Sequence, residues 1–161
     1  MQADHIPRHV YQDTATAIIM NESQTEMLLI KRGDNGRWFP PGGHVNRGEF
    51  PYEAVLREVR EETGYDARFL HQPDNVGEEF DSAVITPQPY CLLLEDLGTH
   101  SHHDFIYLCA LMERIGKAEG EICWFSLEEV QTIESAPEDV KRVAANLLRT
   151  GRPSMVPVLP R

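Results

Sequence analysis

Cysteine is scarce in this sequence, and no two cysteines have the spacing of a metal-binding pair. The 161 residues contain three cysteines, Cys91, Cys109 and Cys123, each set among apolar neighbours and outside any CxxC motif. Metal ligation by these cysteines is therefore disfavoured. We interpret them as buried, reduced thiols of a cytosolic protein, since disulfides are rare where thiols are kept reduced.

Positive charge is also scarce. Lys and Arg total 15 against 26 Asp and Glu, which gives a formal net charge of −11. Nonspecific nucleic-acid binding needs basic patches, so this composition argues against nucleic acid as a partner. An anionic small-molecule substrate would be repelled by the overall field, and it would have to be met by local cations, either a metal ion or arginine.

Long apolar runs, targeting signals and repeats are missing as well. No apolar run approaches the roughly 20 residues of a membrane helix, and residues 1–8 contain no apolar signal region. The length fits about one domain. We therefore expect a single domain over residues 1–161, located in the cytoplasm and without a membrane partner.

One stretch that is present predicts a loop, a helix and a stop. Gly42 and Gly43 follow the segment Trp38-Phe39-Pro40-Pro41, which cannot propagate a helix, and strong helix formers begin at Pro51. Proline suits the first turn of a helix, where its missing N–H costs nothing. Gly64 has the position of a C-terminal stop.

Three carboxylates of this predicted helix share one face, because Glu58, Glu61 and Glu62 have the spacing i, i+3 and i+4. Like charges at this spacing repel each other. A hard divalent cation such as Mg²⁺, Mn²⁺ or Ca²⁺ would remove that cost by binding the oxygens. The alternative is a solvated acidic face with Arg57 and Arg60 as intrahelical partners. An adjoining apolar stripe is expected to pack on the core: Tyr52, Val55, Leu56 and Val59.

The whole stretch resembles the Nudix box, in which glycine, glutamate and a run of Arg-Glu-aliphatic-any-Glu-Glu-any-Gly stand at fixed spacings. Eight positions fall in register: Gly43, Glu49, Arg57, Glu58, Val59, Glu61, Glu62 and Gly64. Tyr65 departs from the pattern, at a position where an aliphatic residue is usual and a structural role is expected. The resemblance implies an α/β fold, an α/β/α sandwich around a mixed β-sheet, with a core of about residues 14–148.

The resemblance also implies a set of site residues. Glu58, Glu61 and Glu62, with the Gly43 carbonyl, would hold Mg²⁺ or Mn²⁺. A further carboxylate is expected shortly before Trp124, where Glu121 matches the spacing best and Glu119 is the competitor. The catalytic set implied in this way consists of Glu58, Glu61, Glu62, Arg57 and Glu49, with Arg57 expected to pair with Glu49.

The predicted reaction is hydrolysis of a nucleoside diphosphate linked to another group X, with cleavage of the P–O–P bond. Two alternatives stay open. An isomerase of the same fold would need a reactive cysteine near the site, whereas Cys91 and Cys109 lie in apolar runs. A nucleotide sensor without turnover would usually lack box glutamates, which are present here. The sequence selects neither a nucleotide nor a group X.

A cationic and aromatic cluster lies just before the glycine pair. Arg32 and Arg37, near Lys31, would contact phosphate, and Trp38 or Phe39 would stack on a ring of the substrate. The alternative is a set of solubilising charges at a strand end.

Three histidines and an aspartate follow one another closely at His100, His102, His103 and Asp104. Such a group invites comparison with a zinc site. A tight hairpin loop need not present all four side chains to one point, however, and the sequence has no second His/Cys cluster. We therefore interpret them as polar loop residues, one of which reaches a phosphate or carries a proton.

The remaining patterns complete the expected order of elements. Strands are predicted at 14–20, 26–32 and 66–71, a long loop at 72–89, and two central strands at 89–97 and 105–112. Ser126 and Glu129 form a capping-box signature, and an amphipathic helix is predicted over 138–148. The tail at 151–161 is expected to be extended, and it favours a homodimer by packing on a partner subunit.

Overall fold

A computed structural model describes residues 11–33 and 36–150 of the chain. Ten strands and three helices follow in this order: β1 Tyr11–Met20, β2 Glu26–Arg32, β3 Arg37–Phe39, β4 Gly42–His44, α1 Pro51–Thr63, β5 Tyr65–Phe69, β6 Glu79–Phe80, β7 Ala83–Val84, β8 Cys91–Asp96, β9 Ser101–Arg114, β10 Glu121–Ser126, α2 Leu127–Thr132 and α3 Glu138–Thr150.

Eight of the strands in these ranges form one mixed sheet. Its central path is β10-β2-β1-β9-β5, while β3 pairs with β2, β4 with β1 and β8 with β9. The β1 and β9 strands run parallel, with Tyr11 opposite Ser101 and Ile19 opposite Cys109, and the other pairs are antiparallel. A parallel pair without an intervening hairpin needs a long crossover, and the chain between β1 and β9 supplies one.

Helices cover both faces of the sheet. Apolar side chains on one face pack with Val55 and Val59 of α1. Those on the other face pack with Val130 of α2 and with α3 residues such as Val140 and Leu147. Because both faces are covered, β1 is apolar and buried on both sides from residue 17 onward. This arrangement is the predicted α/β/α sandwich around a mixed sheet.

The α1 helix begins and ends where the sequence predicts. Pro51 occupies its first turn. Gly64 follows its last residue in the left-handed conformation, with φ of +76° and its N–H donating to the Arg60 carbonyl at 3.0 Å. A Cβ at position 64 would lie 2.7 Å from the Gly116 carbonyl oxygen, so glycine is required for space as well as for conformation.

Two predictions about the strands need correction. The β8 strand is not central, because within the described residues it pairs with β9 alone, and its side chains alternate between half-buried and exposed. Its apolar run therefore reflects one covered face rather than two. The β9 strand begins at Ser101 instead of near residue 105, so His102 and His103 belong to a strand and point to opposite faces.

Smaller elements differ from expectation too. The predicted loop at 72–89 contains the short β6–β7 hairpin, and the glycine pair forms β4, which pairs with β1 at Thr14 opposite His44. Ser126 and Glu129 form the predicted capping box of α2. The tail at 151–161, on which the homodimer prediction depends, lies outside the described residues. None of the helices in the described ranges is long and apolar enough to cross a membrane.

Candidate active site

The acidic face of α1 lies against the β4 strand. Two buried residues of α1, Val55 and Val59, fix the helix on the sheet. The Glu58 carboxylate then lies beside Gly43, since a Cβ built there would be 2.5 Å from Glu58 Oε1. The next turn brings Glu62 to the adjacent peptide, where the Gly42 N–H donates to Glu62 Oε2 at 2.9 Å. Each carboxylate therefore contacts one residue of the glycine pair.

Arg57 connects this face to the loop before the helix. Its Nε and Nη2 atoms donate to the two oxygens of Glu49 at 2.9 and 3.1 Å, which is the expected pairing. The Nη2 atom also donates to the His44 carbonyl at 3.0 Å. Hydrogen bonding to Arg57 lowers the pKa of Glu49, and hydrogen bonding to Glu49 raises the pKa of Arg57. Arg57 thus holds helix and loop together.

The same guanidinium gathers two of the box carboxylates. Arg57 Nη1 donates to Glu58 Oε1 at 2.6 Å and to Glu61 Oε2 at 3.1 Å. The side chain of Glu58 is 15% exposed and that of Glu61 is 50% exposed. The guanidinium of Arg57 therefore bridges Glu58 and Glu61 on the helix face where the sequence predicts a metal ion.

Glu62 is the most perturbed carboxylate of the group. Burial, with a smaller contribution from the neighbouring charges of Glu58 and Glu119, raises its pKa to about 7. The Gly42 N–H and the guanidinium of Arg32, which lies 3.3 Å from Glu62 Oε1, act in the opposite direction. The negative charge at Glu62 is thus only partly compensated by the protein.

The glycine pair leaves no room for side chains. A Cβ at Gly42 would meet the Ala15 carbonyl oxygen at 2.6 Å and the Thr16 Cα at 2.9 Å. At Gly43 it would meet the carboxylate of Glu58 instead. The Gly42 carbonyl also accepts a short hydrogen bond from Arg32. Glycine therefore lets the loop backbone approach both β1 and the acidic helix face.

A cavity of about 380 Å³ adjoins the glycine pair. One wall comes from the β2–β4 region, where the guanidinium carbons of Arg32 and Arg37 lie 5.4 and 5.1 Å from the centre of the Phe39 ring. The opposite wall is acidic: it includes Asp104 of β9, Glu95 of β8 and Asp139 of α3. The cavity thus offers both cationic and hydrogen-bond-accepting groups.

Asp104 is buried in that wall at 6% exposure. Its Oδ1 accepts hydrogen bonds from the hydroxyls of Thr14 and Thr16 at 3.0 Å each, and its Oδ2 accepts one from Thr16 at 2.9 Å. Burial raises the pKa of Asp104 to about 6 in spite of these bonds. The sequence analysis did not single out Asp104 as part of a cavity, because its threonine partners come from β1, about 90 residues away.

Two predicted site residues point elsewhere. Trp38 packs edge-on against Phe125 at 5.0 Å between ring centres, in the apolar cluster on the α2–α3 face. Glu121 forms an ion pair with Lys31 at 3.2 Å, and the Lys31 ammonium lies over the Trp38 ring. Glu121 is therefore held on the sheet face opposite α1. Its choice as an additional ligand is not supported by this geometry.

Glu119, the competitor of Glu121, lies closer to the group. Its N–H donates to the Glu62 carbonyl at 3.1 Å, and its charge contributes to the raised pKa of Glu62. The two glutamates are separated by one residue, and only pairing of β10 with β2 decides which of them faces Lys31. Spacing before Trp124 could not resolve this.

The three histidines at positions 100, 102 and 103 are close in sequence, but their side chains do not form one cluster in space. His103 lies 3.3 Å from Asp13 and stacks on Tyr11, whereas His102 lines the cavity. His102 meets His100 and also His44 of β4, at 5.0 and 5.3 Å between ring centres. The sequence analysis missed His44, because its proximity depends on the pairing of β4 with β1.

Cys109 is buried, as expected, whereas Cys91 and Cys123 are half-buried, and none of the three forms a disulfide. Burial raises the pKa of Cys91 to about 11 and that of Cys109 to about 12. Both thiols are therefore protonated near neutral pH and are poor nucleophiles.

The carboxylate face fits a hard divalent cation in its chemistry, although its side chains are turned toward protein partners. Within residues 11–33 and 36–150, no three His, Cys, Asp or Glu side chains converge in the geometry of a metal site. The donors are all oxygens, which Mg²⁺ and Mn²⁺ prefer. Arg57 Nη1 already lies between Glu58 and Glu61, where a cation would be stabilised, and Glu62 carries an incompletely compensated charge.

Comparison with known proteins shows which family the chain belongs to. A model described as the NUDIX domain matches residues 10–148. The chain belongs to the NUDIX family. Enzymes of the family generally use divalent metal cations, which agrees with the oxygen donors of α1.

Individual NUDIX relatives match over different lengths. A probable DHNTP pyrophosphohydrolase from Lactococcus lactis subsp. cremoris is 30% identical over 131 residues, which are 81% of this chain and 70% of that protein. A putative 8-oxo-dGTP diphosphatase from Bacillus subtilis is 50% identical over 58 residues, which are 36% of this chain and 38% of that protein. Three relatives that are 49–50% identical to this chain are matched over only 15–38% of their own length.

A solved structure supports the fold independently. The crystal structure of a NUDIX-family hydrolase from Clostridium perfringens superposes with a TM-score of 0.69 at 25% identity, covering 86% of this chain and 97% of that one. The predicted fold class is thus confirmed over most of the chain.

Proposed function

We propose that this protein is a pyrophosphohydrolase that requires Mg²⁺ or Mn²⁺ and cleaves the P–O–P bond of a nucleoside diphosphate linked to another group X. The observation that carries the proposal is the contact of Glu58 and Glu62 with the two glycines of β4, which also line a cavity that contains two arginines. Membership of the NUDIX family supports the same reaction.

Glu58, Glu61 and Glu62, with the Gly43 carbonyl, are the groups that would hold the cation. Bound there, the cation would neutralise the diphosphate and lower the pKa of an attacking water molecule. Arg57 positions two of these carboxylates from one guanidinium and ties their helix to the loop through Glu49. We propose that Arg57 and Glu49 position the metal-binding helix and do not contact the substrate, because the hydrogen bonds of both side chains go to protein groups.

Arg32 and Arg37 supply the local positive charge that a protein of net charge −11 needs to bind a phosphate ester. Both guanidinium groups lie beside the cavity, and Arg32 also contacts the Gly42 carbonyl. Their fork geometry suits phosphate oxygens. Phe39 lies near both guanidinium groups and lines the cavity, so of the two predicted aromatic residues it is the candidate for stacking on a ring.

The acidic wall favours a substrate that presents N–H groups to it. Glu95, Asp104 and Asp139 accept hydrogen bonds when ionised and would repel additional phosphate groups in the same space. The names of two relatives, an 8-oxo-dGTP diphosphatase and a DHNTP pyrophosphohydrolase, point to triphosphates of nitrogen-rich ring systems. We therefore rank nucleoside triphosphates, oxidised ones included, above nucleotide sugars.

The test is a panel of nucleotides assayed with and without Mg²⁺. The panel contains 8-oxo-dGTP, unmodified nucleoside triphosphates, ADP-ribose, nucleotide sugars and dinucleoside polyphosphates, and products are separated by ion-exchange chromatography. We expect Mg²⁺-dependent release of a nucleoside monophosphate. Reaction in ¹⁸O-labelled water should place the label on a product phosphate, which identifies the phosphorus that water attacks.

The competing functions predict different results in this assay. A sensor would bind a member of the panel saturably with Mg²⁺ present but turn none of them over. An isomerase would convert a substrate without incorporating ¹⁸O, and it would need a thiolate, which the raised pKa values of Cys91 and Cys109 disfavour. Either outcome would replace the hydrolase proposal.

A further inference from the structure

A pair of imidazoles faces one another at the start of β9. His100 and His102 are two residues apart, so they lie on the same side of the extended backbone. Their Nε2 atoms are 3.2 Å apart. His102 lines the cavity, and His100 is half-buried. The proposed hydrolysis assigns no role to either side chain.

The other ring nitrogens of the pair already have oxygen partners. His102 Nδ1 lies 3.4 Å from Glu95 Oε2, and His100 Nδ1 lies 2.9 Å from the hydroxyl of Thr99. Histidines that bind metals in proteins usually present this arrangement, in which the outer nitrogen contacts a carboxylate, carbonyl or similar group and the inner nitrogen faces the ion. The partners orient both rings before any ligand arrives.

The separation of the two Nε2 atoms matches a shared ion. Zn²⁺ binds imidazole nitrogen at about 2.0–2.1 Å. Two such bonds at angles between a right angle and the tetrahedral value put the nitrogens about 2.9–3.4 Å apart. We propose that His100 and His102 bind a transition-metal ion of the Zn²⁺ or Ni²⁺ class through their Nε2 atoms, at the wall of the cavity.

His44 is the candidate for a third ligand. Its ring lies 5.3 Å from that of His102, and its Nε2 is hydrogen-bonded to Gln12 Oε1 at 2.9 Å. A side-chain rotation at an exposed position would release it from Gln12. The described residues contain no preformed group of three ligands, so the site holds two nitrogens, with water or His44 completing the coordination.

This site differs in chemistry from the carboxylate face of α1. Imidazole nitrogen favours Zn²⁺, Ni²⁺ and Cu²⁺, whereas carboxylate and carbonyl oxygens favour Mg²⁺ and Mn²⁺. Excess Mg²⁺ should therefore occupy the glutamates of α1 and leave the histidines available. The inference does not depend on the proposed hydrolysis, because metal binding is measured without a nucleotide.

The number of protons released when the ion binds depends on which ring nitrogens carry protons in the metal-free pair. If Nδ1 of His102 carries a proton toward Glu95, its Nε2 accepts from the Nε2–H of His100. Metal binding requires a free lone pair on both Nε2 atoms, so His100 must change tautomer and donate from Nδ1 to Thr99. Uptake of the ion then needs no net release of protons from the pair.

The experiment is isothermal titration of the full chain with ZnCl₂ and separately NiCl₂, in excess Mg²⁺ and without nucleotide. We expect one equivalent to bind, with affinity lowered at least tenfold in His100→Ala and in His102→Ala. Glu95→Gln should lower it about tenfold, the usual effect of removing an outer partner. His103→Ala is the matched control, because His103 faces Asp13 and Tyr11 instead.

Paramagnetic NMR tests the site in the unaltered protein. Substoichiometric Ni²⁺ should broaden the imidazole signals of His100 and His102 before those of His71, which contacts Gln24, and of His103. The proposal is wrong if the wild-type chain binds no Zn²⁺ in excess Mg²⁺, if the His103 variant loses as much affinity as the His102 variant, or if Ni²⁺ broadens all histidines equally.

Discussion

The molecule holds two groups of carboxylates that are stabilised in different ways. On α1, Glu58 and Glu61 share the guanidinium of Arg57, and Glu62 has the Gly42 N–H and Arg32. On the cavity wall, the buried Asp104 is held by two neutral hydroxyls. Arg57 therefore compensates the charge of Glu58 and Glu61, Arg32 compensates that of Glu62 only in part, and Asp104 has neutral hydrogen-bond donors alone.

The difference shows what each group is suited to do. Carboxylates held by a cationic side chain can exchange that partner for a metal ion without a large electrostatic cost. A carboxylate fixed between hydroxyls offers an acceptor to an uncharged N–H group. The two groups also differ in origin, since the α1 glutamates lie within five residues, whereas Asp104 and its threonines are joined by the β1–β9 pairing.

Replacing a carboxylate of the first group should have the largest effect. We expect Glu61→Gln or Glu62→Gln to lower kcat by about 10²–10³, the scale of losing one preorganised electrostatic contact at a reaction centre. Folding should be preserved, because Glu61 is half-exposed and burial already disfavours the charge of Glu62. Turnover at saturating Mg²⁺ and thermal unfolding are the two measurements.

Glu53→Gln on the same helix is the matched control. Glu53 accepts a hydrogen bond from the Phe50 N–H in the first turn, a role that glutamine can keep. Its kcat should equal that of the wild type. If both Glu61→Gln and Glu62→Gln retained wild-type rates, the α1 carboxylates would not be the reaction centre.

The contrast also explains what the sequence could predict. The α1 face follows from the spacing of Glu58, Glu61 and Glu62, because helix geometry alone fixes their neighbours. The sandwich, in contrast, is implied by the resemblance to the Nudix box. Residues brought together by strand pairing, such as His44 with His102, leave no local signal. Likewise, only the register of β10 against β2 shows that Glu121 lies opposite Lys31.

Alanine substitutions of the two glycines of β4 should affect different properties, one mainly stability and the other mainly activity. In Gly42→Ala the new Cβ meets the backbone of β1, so we expect the free energy of unfolding to fall by about 1–3 kcal/mol. In Gly43→Ala the Cβ meets the end of the Glu58 side chain, which can move, so stability should change less and kcat should fall. Chemical denaturation and turnover measure the two effects.

Each glycine variant serves as the control for the other. An equal loss of stability in both would mean that the Glu58 side chain cannot move aside. A Gly43→Ala variant with normal stability and normal kcat would show that contact between Glu58 and the loop is unnecessary for turnover.

The Arg57–Glu49 contact should show measurable coupling in a double-mutant cycle. We expect Arg57→Ala and Glu49→Gln to be non-additive in the free energy of unfolding by about 1 kcal/mol, because the pair forms two parallel, partly buried bonds. The exposed Lys141–Glu138 pair is the control and should couple by less than about 0.5 kcal/mol. Equal coupling free energies in the two pairs would mean that Arg57 has no special positioning role.

Asp104 allows the second group to be tested through pH. Its pKa is about 6 in the folded protein against 3.8 as the ordinary value, so the folded state binds more protons between these pH values. The stability that this group contributes is therefore present below about pH 3.8 and is lost as pH rises through about 6. The new side chain of Asp104→Asn cannot ionise. The free energy of unfolding of this variant should therefore rise relative to that of the wild type as the pH increases from about 4 to above 6. We expect a relative increase of about 1 kcal/mol, since water in the adjoining cavity reduces the cost of ionising Asp104.

Urea denaturation of both proteins between pH 4 and pH 8 would measure this difference, in the range set by the pKa values of Asp104. Asp96→Asn, at the exposed end of β8, should follow the wild-type curve. A constant difference between Asp104→Asn and wild type would mean that the carboxylate is no more costly to ionise in the fold than outside it. The two carboxylate groups would then not differ in how well the protein compensates their charge, and the hydroxyls of Thr14 and Thr16 would be as effective as the guanidinium of Arg57.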